Sequence, residues 1–424
     1  MPLTACLFFP LLDLFLAALI MKKISLFFIT LCVILLYACQ SEEKTSSSAA
    51  SDHEVGEDRL QELSTQMVAY LPQLTVDSMV IPRTVENGSL KGTPSKSWTS
   101  GFFPGLLWQL YDYSEMAELR TAAETWQAFV EKEKWDSGTH DLGFKVYCSF
   151  GQAWRITQES AYRDVFLTAA QTLSSRYNPV VGAIRSWDHH DHLWDFPVII
   201  DNMMNLEMLY EATRLSGDSS YHNIATQHAF TTLENHFRPD HSSFHVVSYD
   251  PTTGEVEKKN THQGYSDESA WSRGQAWGLY GYTVAYRYTQ EAAFLEQAKK
   301  IAQFIFNHPN LPADLIPYWD FDAPNIPNEP RDVSAAAIAA SGLFELSEYD
   351  KANAPQYLQW ANGILASLEG ETYQCTVAPF FLDHSVGSIP GEFEMDAPII
   401  YADYYYVEAL RRSKAQKAIA ANEN

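Results

Sequence analysis

From about Arg59 onward the chain repeats one pattern, in which apolar residues recur at three- and four-residue steps between Gly-, Pro-, Asn- and Asp-rich connections. Such spacing lays an apolar stripe along a helix. It predicts helices over Leu60–Leu71, Phe102–Tyr111, Leu119–Glu131, Phe144–Ile156, Ala161–Ser174, Val198–Leu215, Tyr221–Phe237, Ala270–Thr289, Ala292–Asn307, Val333–Glu348, Gln356–Leu368 and Ala397–Arg412. Hardly any stretch reads as a strand. Roughly a dozen helices make six hairpins. Alternate connections are long, at Thr75–Ser97, Arg176–Phe196, Arg238–Ser269 and Pro312–Arg331. If these share one rim, function belongs there. Six sequential hairpins closing on themselves give an all-α (α/α)6 barrel, a helical toroid with a funnel at one end. An open superhelix is the rival, because periodicity carries no information about closure.

The first 39 residues stand outside this pattern. Met21-Lys22-Lys23 opens a positive segment, followed by the apolar run Ile24 to Tyr37, the layout of a secretory signal. The ending Leu36-Tyr37-Ala38-Cys39 resembles a bacterial lipobox, which makes Cys39 the expected lipidation site and Met21 the expected initiator. Residues 40–57 are Ser-, Ala- and acid-rich and read as a flexible tether. A catalytic body over 58–415 and a tail over 416–424 complete the organisation. Export, as a periplasmic or cell-surface lipoprotein of a Gram-negative bacterium, is the expectation, with membrane contact only through the lipid.

Composition narrows the partners. A formal net charge of −24 excludes the basic stripe that nucleic acid requires. It also means that an anionic substrate needs local positive charge in its site. Cys148 and Cys375, far apart in the body, form neither a disulfide framework nor a metal motif and read as small buried residues.

The long connections carry the candidate chemistry. Asp201 lies in Phe196-Pro197-Val198-Ile199-Ile200-Asp201-Asn202-Met203-Met204-Asn205, an apolar helix start that raises the pKa of a carboxyl toward that of a general acid. A capping or paired carboxylate is the alternative. Asp141, in Thr139-His140-Asp141-Leu142-Gly143-Phe144, is either a second carboxylate that raises Asp201 further or an N-cap. Arg273 and Trp277 sit one helical turn apart, suited to a carboxylate and a sugar face, or to each other as a cation–π pair. His189, His190 and His192 cluster with Asp188, Asp191 and Asp195 but lack the spacing of a helical zinc site. No nucleophile elbow or phosphate loop is present.

Together with Ser97-Trp98-Thr99-Ser100-Gly101-Phe102-Phe103-Pro104-Gly105 and Thr261-His262-Gln263-Gly264-Tyr265, these motifs, in order from Ser97 to Arg412, resemble the unsaturated glucuronyl hydrolases, glycoside hydrolase family 88. The resemblance implies an (α/α)6 barrel and removal of a 4,5-unsaturated uronic acid from the non-reducing end of oligosaccharides left by a polysaccharide lyase. It implies no cofactor and no metal. Asp201 is then the acid that protonates C4 and the base that activates water for C5. Asp141 holds substrate hydroxyls, and Trp98, His245, Gln263, Arg273 and Trp277 bind substrate. In some members a late Ser-x-x-Ser-x-Lys motif accepts sulfate. Here Ser385 and Ser388 are present as candidate substrate contacts, but Pro390 stands in place of Lys. The alternatives are an unsaturated rhamnogalacturonyl hydrolase on the same fold, a hydrolase of saturated glycosides, and a surface lipoprotein that binds glycans without cleaving them.

Overall fold

In the computed structural model, which describes residues 57–422, the apolar stripes fold into twelve α-helices. The expected signal, Cys39 and nearly all of the tether fall outside the described residues. α1 (Glu57–Tyr70) precedes a hairpin of β1 (Ile81–Glu86) and β2 (Ser89–Thr93). Then come α2 (Phe102–Ser114), α3 (Ala117–Val130), α4 (Gln152–Thr157) and α5 (Ser160–Ser174). A two-residue ladder of β3 (Tyr177–Asn178) and β4 (Ala183–Ile184) leads to β5 (Pro197–Ile199), α6 (Leu206–Ser216) and α7 (Ser219–Asn235). After β6 (Val246–Tyr249) and β7 (Val256–Asn260), the chain continues through α8 (Ser272–Thr289), α9 (Ala292–Phe306), α10 (Val333–Tyr349), α11 (Ala354–Leu368) and α12 (Ile400–Asn422).

Two kinds of helix alternate. α8 is buried without a break from Ser272 to Ala285, and α10 from Val333 to Ser347. α9 buries a single stripe of Phe294, Ala298, Ile301, Ala302 and Ile305, and α11 does the same through Tyr357, Ala361, Ile364 and Leu365. Helices covered on all sides belong inside, and striped ones outside. The ring closes where α12 packs against both α10 and α2. Phe102 of α2 meets the rings of Tyr401, Tyr404 and Tyr405 at 5.8, 5.3 and 6.0 Å. α1 supplies the outer helix of that last pair, with Arg59 Nε donating to the Tyr406 hydroxyl at 3.4 Å. The architecture is the closed (α/α)6 toroid.

Four expectations about elements are corrected. The long connections carry strands: β1 pairs with β2, and β5, β6 and β7 form an antiparallel sheet. Runs of two to six residues are too short to show a strand period. The predicted helix from Val198 begins as β5 and a 3₁₀ turn, Ile200–Asn205, before α6 starts. The predicted helix at Phe144 is π-helical over Gly143–Gly151. The last helix runs through most of the expected tail, to Asn422.

The π-helical turn lies unusually close to α2. A Cβ on Gly101 would stand 2.1 Å from the Lys145 carbonyl oxygen, and one on Gly105 would stand 2.2 Å from that of Cys148. Both obstacles are backbone, so they cannot swing aside. Trp98, just before α2, and Phe144, at the start of the π-helical turn, stand 5.4 Å apart in the funnel wall. Gly105→Ala is expected to destabilise the protein by about 2 kcal/mol or more, the scale of core overpacking. A drop of several degrees in the thermal midpoint, measured against the wild type, checks it.

Candidate active site

Three of the four long connections meet at one rim; Pro312–Arg331 supplies no wall residue, and the late loop over 388–394 takes its place. They border a funnel of about 780 Å³ whose wall includes Trp98, Asp141, Phe144, Trp187, Asp201 and Arg273. Asp201 is placed by sheet pairing. Ile199 of β5 lies opposite Val246 of β6, and the Ile200 amide donates to the His245 carbonyl at 3.1 Å. That ladder sets Asp201, the next residue, beside the His245 side chain. Upstream, the Ile199 amide donates to Ser186 Oγ at 2.9 Å.

His245 has a defined tautomer. Its Nδ1 accepts the backbone N–H groups of His262 and Gln263, both at 3.1 Å. The ring proton is therefore on Nε2, which points at Asp201 Oδ2 across 3.6 Å. Neither atom has a hydrogen-bond partner, and both are buried. Burial, with His262 and Arg273 adding to it, holds His245 well below the usual histidine range, so the imidazole is neutral.

The two carboxyls are driven apart. Burial pushes Asp201 up to about 6, against the pull of His140 and Arg273, and the charge of Asp141 adds a smaller upward push. Asp141 moves the other way. Burial alone would raise it, but His140, the Thr139 hydroxyl and Lys145 hold it below the usual carboxylate range. Thr139 Oγ1 donates to Asp141 Oδ2 at 2.5 Å, and His140 Nε2 lies 3.2 Å from Oδ1. Asp201 thus has the proton affinity of a group that can both give and take a proton, and Asp141 that of a fixed anion.

Arg273, in the first turn of α8, is 1% exposed. Nη1 bonds Asp332 Oδ2 at 3.0 Å and also the Val386 carbonyl, while Nη2 donates to the Gly387 carbonyl at 2.7 Å. Nε has no partner. The guanidinium lies over Trp271, at 4.5 Å, which disposes of the alternative cation–π pair with Trp277. Trp98 is half-buried in the funnel wall, 5.0 Å from the Tyr401 ring. Gln263 and Ser388 also line the funnel. Gln263 Nε2 donates to the Gly387 carbonyl at 3.0 Å, and Ser388 Oγ accepts the Gly391 amide at 3.0 Å.

No protein-family model matches the chain. An unsaturated glucuronyl hydrolase of Formosa agariphila is 52% identical over 325 residues, which are 76% of this chain and 81% of that protein. The chain belongs to the unsaturated glucuronyl hydrolases, glycoside hydrolase family 88. The crystal structure of an unsaturated glucuronyl hydrolase specific for heparin superimposes with a TM-score of 0.82 at 44% identity, covering 86% of this chain and 99% of that one. A variant of the Streptococcus agalactiae unsaturated glucuronyl hydrolase, complexed with dGlcA-GalNAc6S, superimposes with a TM-score of 0.72 at 30% identity over 84% of this chain and 90% of its own.

The glucuronyl hydrolase fold distributes the expected contacts unevenly. Trp277 does not reach the funnel: it is fully buried, 5.2 Å behind Phe144, because one turn along an inner helix leads into the core. Ser385 is also fully buried, drawn inward by its pairing with Ala397, and its hydroxyl has no partner. His245 stands behind Asp201 and is no part of the wall. Six wall residues had not been singled out in the sequence: Arg83, Lys91, Trp187, Gly391, Phe393 and Glu394. Trp187 stacks on His189 at 5.0 Å, and Arg83 pairs with Glu394, its Nη2 lying 3.2 Å from Oε2. No sequence signal links residues 311 positions apart. Trp187, adjoining the His-rich loop, was the findable one. That loop packs as rings, with His190 against His262 at 5.3 Å, and no three metal-ligating side chains converge among the described residues.

The raised proton affinity of Asp201 has a stability consequence. Below about pH 4 both folded and unfolded chains carry this proton, so Asp201 contributes nothing. As pH rises through about 6 the folded state must either retain the proton or ionise a buried group, and stability is lost. Asp201→Asn is therefore expected to be more stable than the wild type at about pH 7.5, by up to about 3 kcal/mol. The advantage should vanish toward pH 4. Denaturant unfolding across that range measures it.

Proposed function

We propose that the protein removes the 4,5-unsaturated uronic acid from the non-reducing end of lyase-generated oligosaccharides, with Asp201 as the proton donor. The observation that carries this reading is a buried carboxyl in the funnel wall, raised to about 6 and facing a neutral imidazole N–H. An enol ether needs one group that protonates C4 and then takes a proton from the water adding at C5. The hemiketal so formed opens and releases the remaining sugar. One Asp with a proton affinity near working pH serves both steps, and the reaction requires no second nucleophile. His245 Nε2–H steadies the carboxylate once the proton has left. Asp141, held as an anion, accepts hydrogen bonds from the substrate hydroxyls. Trp98 offers the sugar a face.

The test follows the ultraviolet absorbance of the conjugated double bond with unsaturated fragments of glycosaminoglycan, ulvan and pectin. Loss of absorbance is expected with at least one uronyl substrate, and Asp201→Asn should slow it about 10³-fold, the scale of a lost general acid–base group. Unchanged absorbance across all three classes overturns the reading. Because Pro390 replaces the basic residue of the sulfate motif, sulfated and unsulfated forms of one disaccharide belong in the panel.

Export with a lipid on Cys39 is part of the same proposal and rests on the leader and lipobox in the sequence. A fatty-acid label should enter the expressed wild type and be absent from Cys39→Ser. Equal labelling of the two would remove the anchor.

A further inference from the structure

We infer that Asp332 is a positioning residue for the reaction: it holds Arg273 in place and shares its charge, so that Asp201 keeps a proton. This deepens the proposed function, since it takes Asp201 as the acid.

Asp332 is fully buried and each of its oxygens has a separate task. Oδ1 caps α10, accepting from the Ser334 amide at 3.1 Å, the Ala335 amide at 3.4 Å and the Ser334 hydroxyl at 2.5 Å. Oδ2 takes Arg273 Nη1 at 3.0 Å. The carboxyl is thereby fixed to a rigid inner helix before it meets the arginine, which loses little freedom of its own on pairing. The Val386 and Gly387 carbonyls complete the clamp from the late loop. Asp332 and those two carbonyls occupy Nη1 and one hydrogen of Nη2. That leaves Nε–H and one Nη2–H without a protein partner, donors of the kind a carboxylate accepts.

The electrostatic consequence follows from what surrounds Asp201. His140 and Asp141 approach it from the turn before the π-helix, His245 from the sheet, and Arg273 from α8. Arg273 itself faces Tyr401, Asp332 and Glu394. An arginine this buried, with its charge unshared, would stabilise the Asp201 carboxylate strongly, and an acid held as its conjugate base cannot protonate C4. With Asp332 as partner the positive charge is partly neutralised. The site retains an arginine for an anionic substrate without forfeiting its proton donor.

Asp332→Asn keeps an oxygen for the helix cap and removes the charge. The ionisation midpoint of Asp201 can be read without turnover, from the pH dependence of the stability difference between Asp201 and Asp201→Asn chains. That difference is measured once with Asp332 intact and once with Asp332→Asn present in both chains. The expected result is a midpoint lowered by about one pH unit. In parallel, kcat/KM of Asp332→Asn should fall about tenfold near pH 7 and recover toward the wild type near pH 5, a recovery that simple misfolding would not give. The double variant Asp332→Asn/Arg273→Gln removes the whole pair, leaves no buried charge orphaned, and should move the midpoint upward. It also serves if the single variant does not fold. A midpoint unchanged or raised in Asp332→Asn, or unmoved in the double variant, overturns the inference. Because the midpoint is read from stability, a wild type inactive on every unsaturated fragment would refute the proposed reaction and leave this measurement standing.

Discussion

The proposed chemistry depends on keeping one carboxyl out of water. Asp201 is 8% exposed, in the wall of a funnel that it shares with Phe144, behind which Trp277 packs. Transfer of a carboxylate from water to such a place is costly, and the protein meets the cost by letting the group hold its proton. Nearby cations pull the other way, and the observed balance lies near 6. A fully solvated Asp would be too weak a base, and one fully compensated by Arg273 would hold no proton to donate.

That balance is maintained by backbone. A three-residue ladder between β5 and β6 puts Asp201 next to His245, and two amide donors dictate which nitrogen of His245 carries the proton. The neighbouring charges are similarly tied down: Asp141 by Thr139 and His140, Arg273 by Asp332 and two carbonyls. Positive charge is spent locally in an acidic chain. Arg273 is surrounded by Asp332 and two carbonyls in a chain of net charge −24. The toroid contributes rigidity, since Arg273 starts on one inner helix and Asp332 caps another.

The sequence was informative where the cause is local. Apolar spacing fixes a stripe within one helix, so the helices at α9, α10 and α11 could be placed within a few residues. Asp201 could be singled out because its apolar neighbours, Ile199, Ile200, Met203 and Met204, adjoin it in the chain. The π-helical turn and β5 were missed for a related reason. A nine-residue π segment carries nearly the same apolar spacing as an α-helix, and a three-residue strand has too few positions to show a period.

By itself, then, the sequence determined six helical hairpins, long connections able to carry a site, an acid in an apolar setting and, through ordered motifs, a family. Only the tertiary structure decided that the ring closes, that Trp277 and Ser385 face the core, that His245 is Asp201's neighbour, and that Arg273 is bound to Asp332. The reason is range. A helix stripe is decided over three or four residues, whereas Arg273 meets Asp332 across 59 positions and Gly387 across 114. Contacts of that span depend on how rigid elements pack, and no local pattern records them.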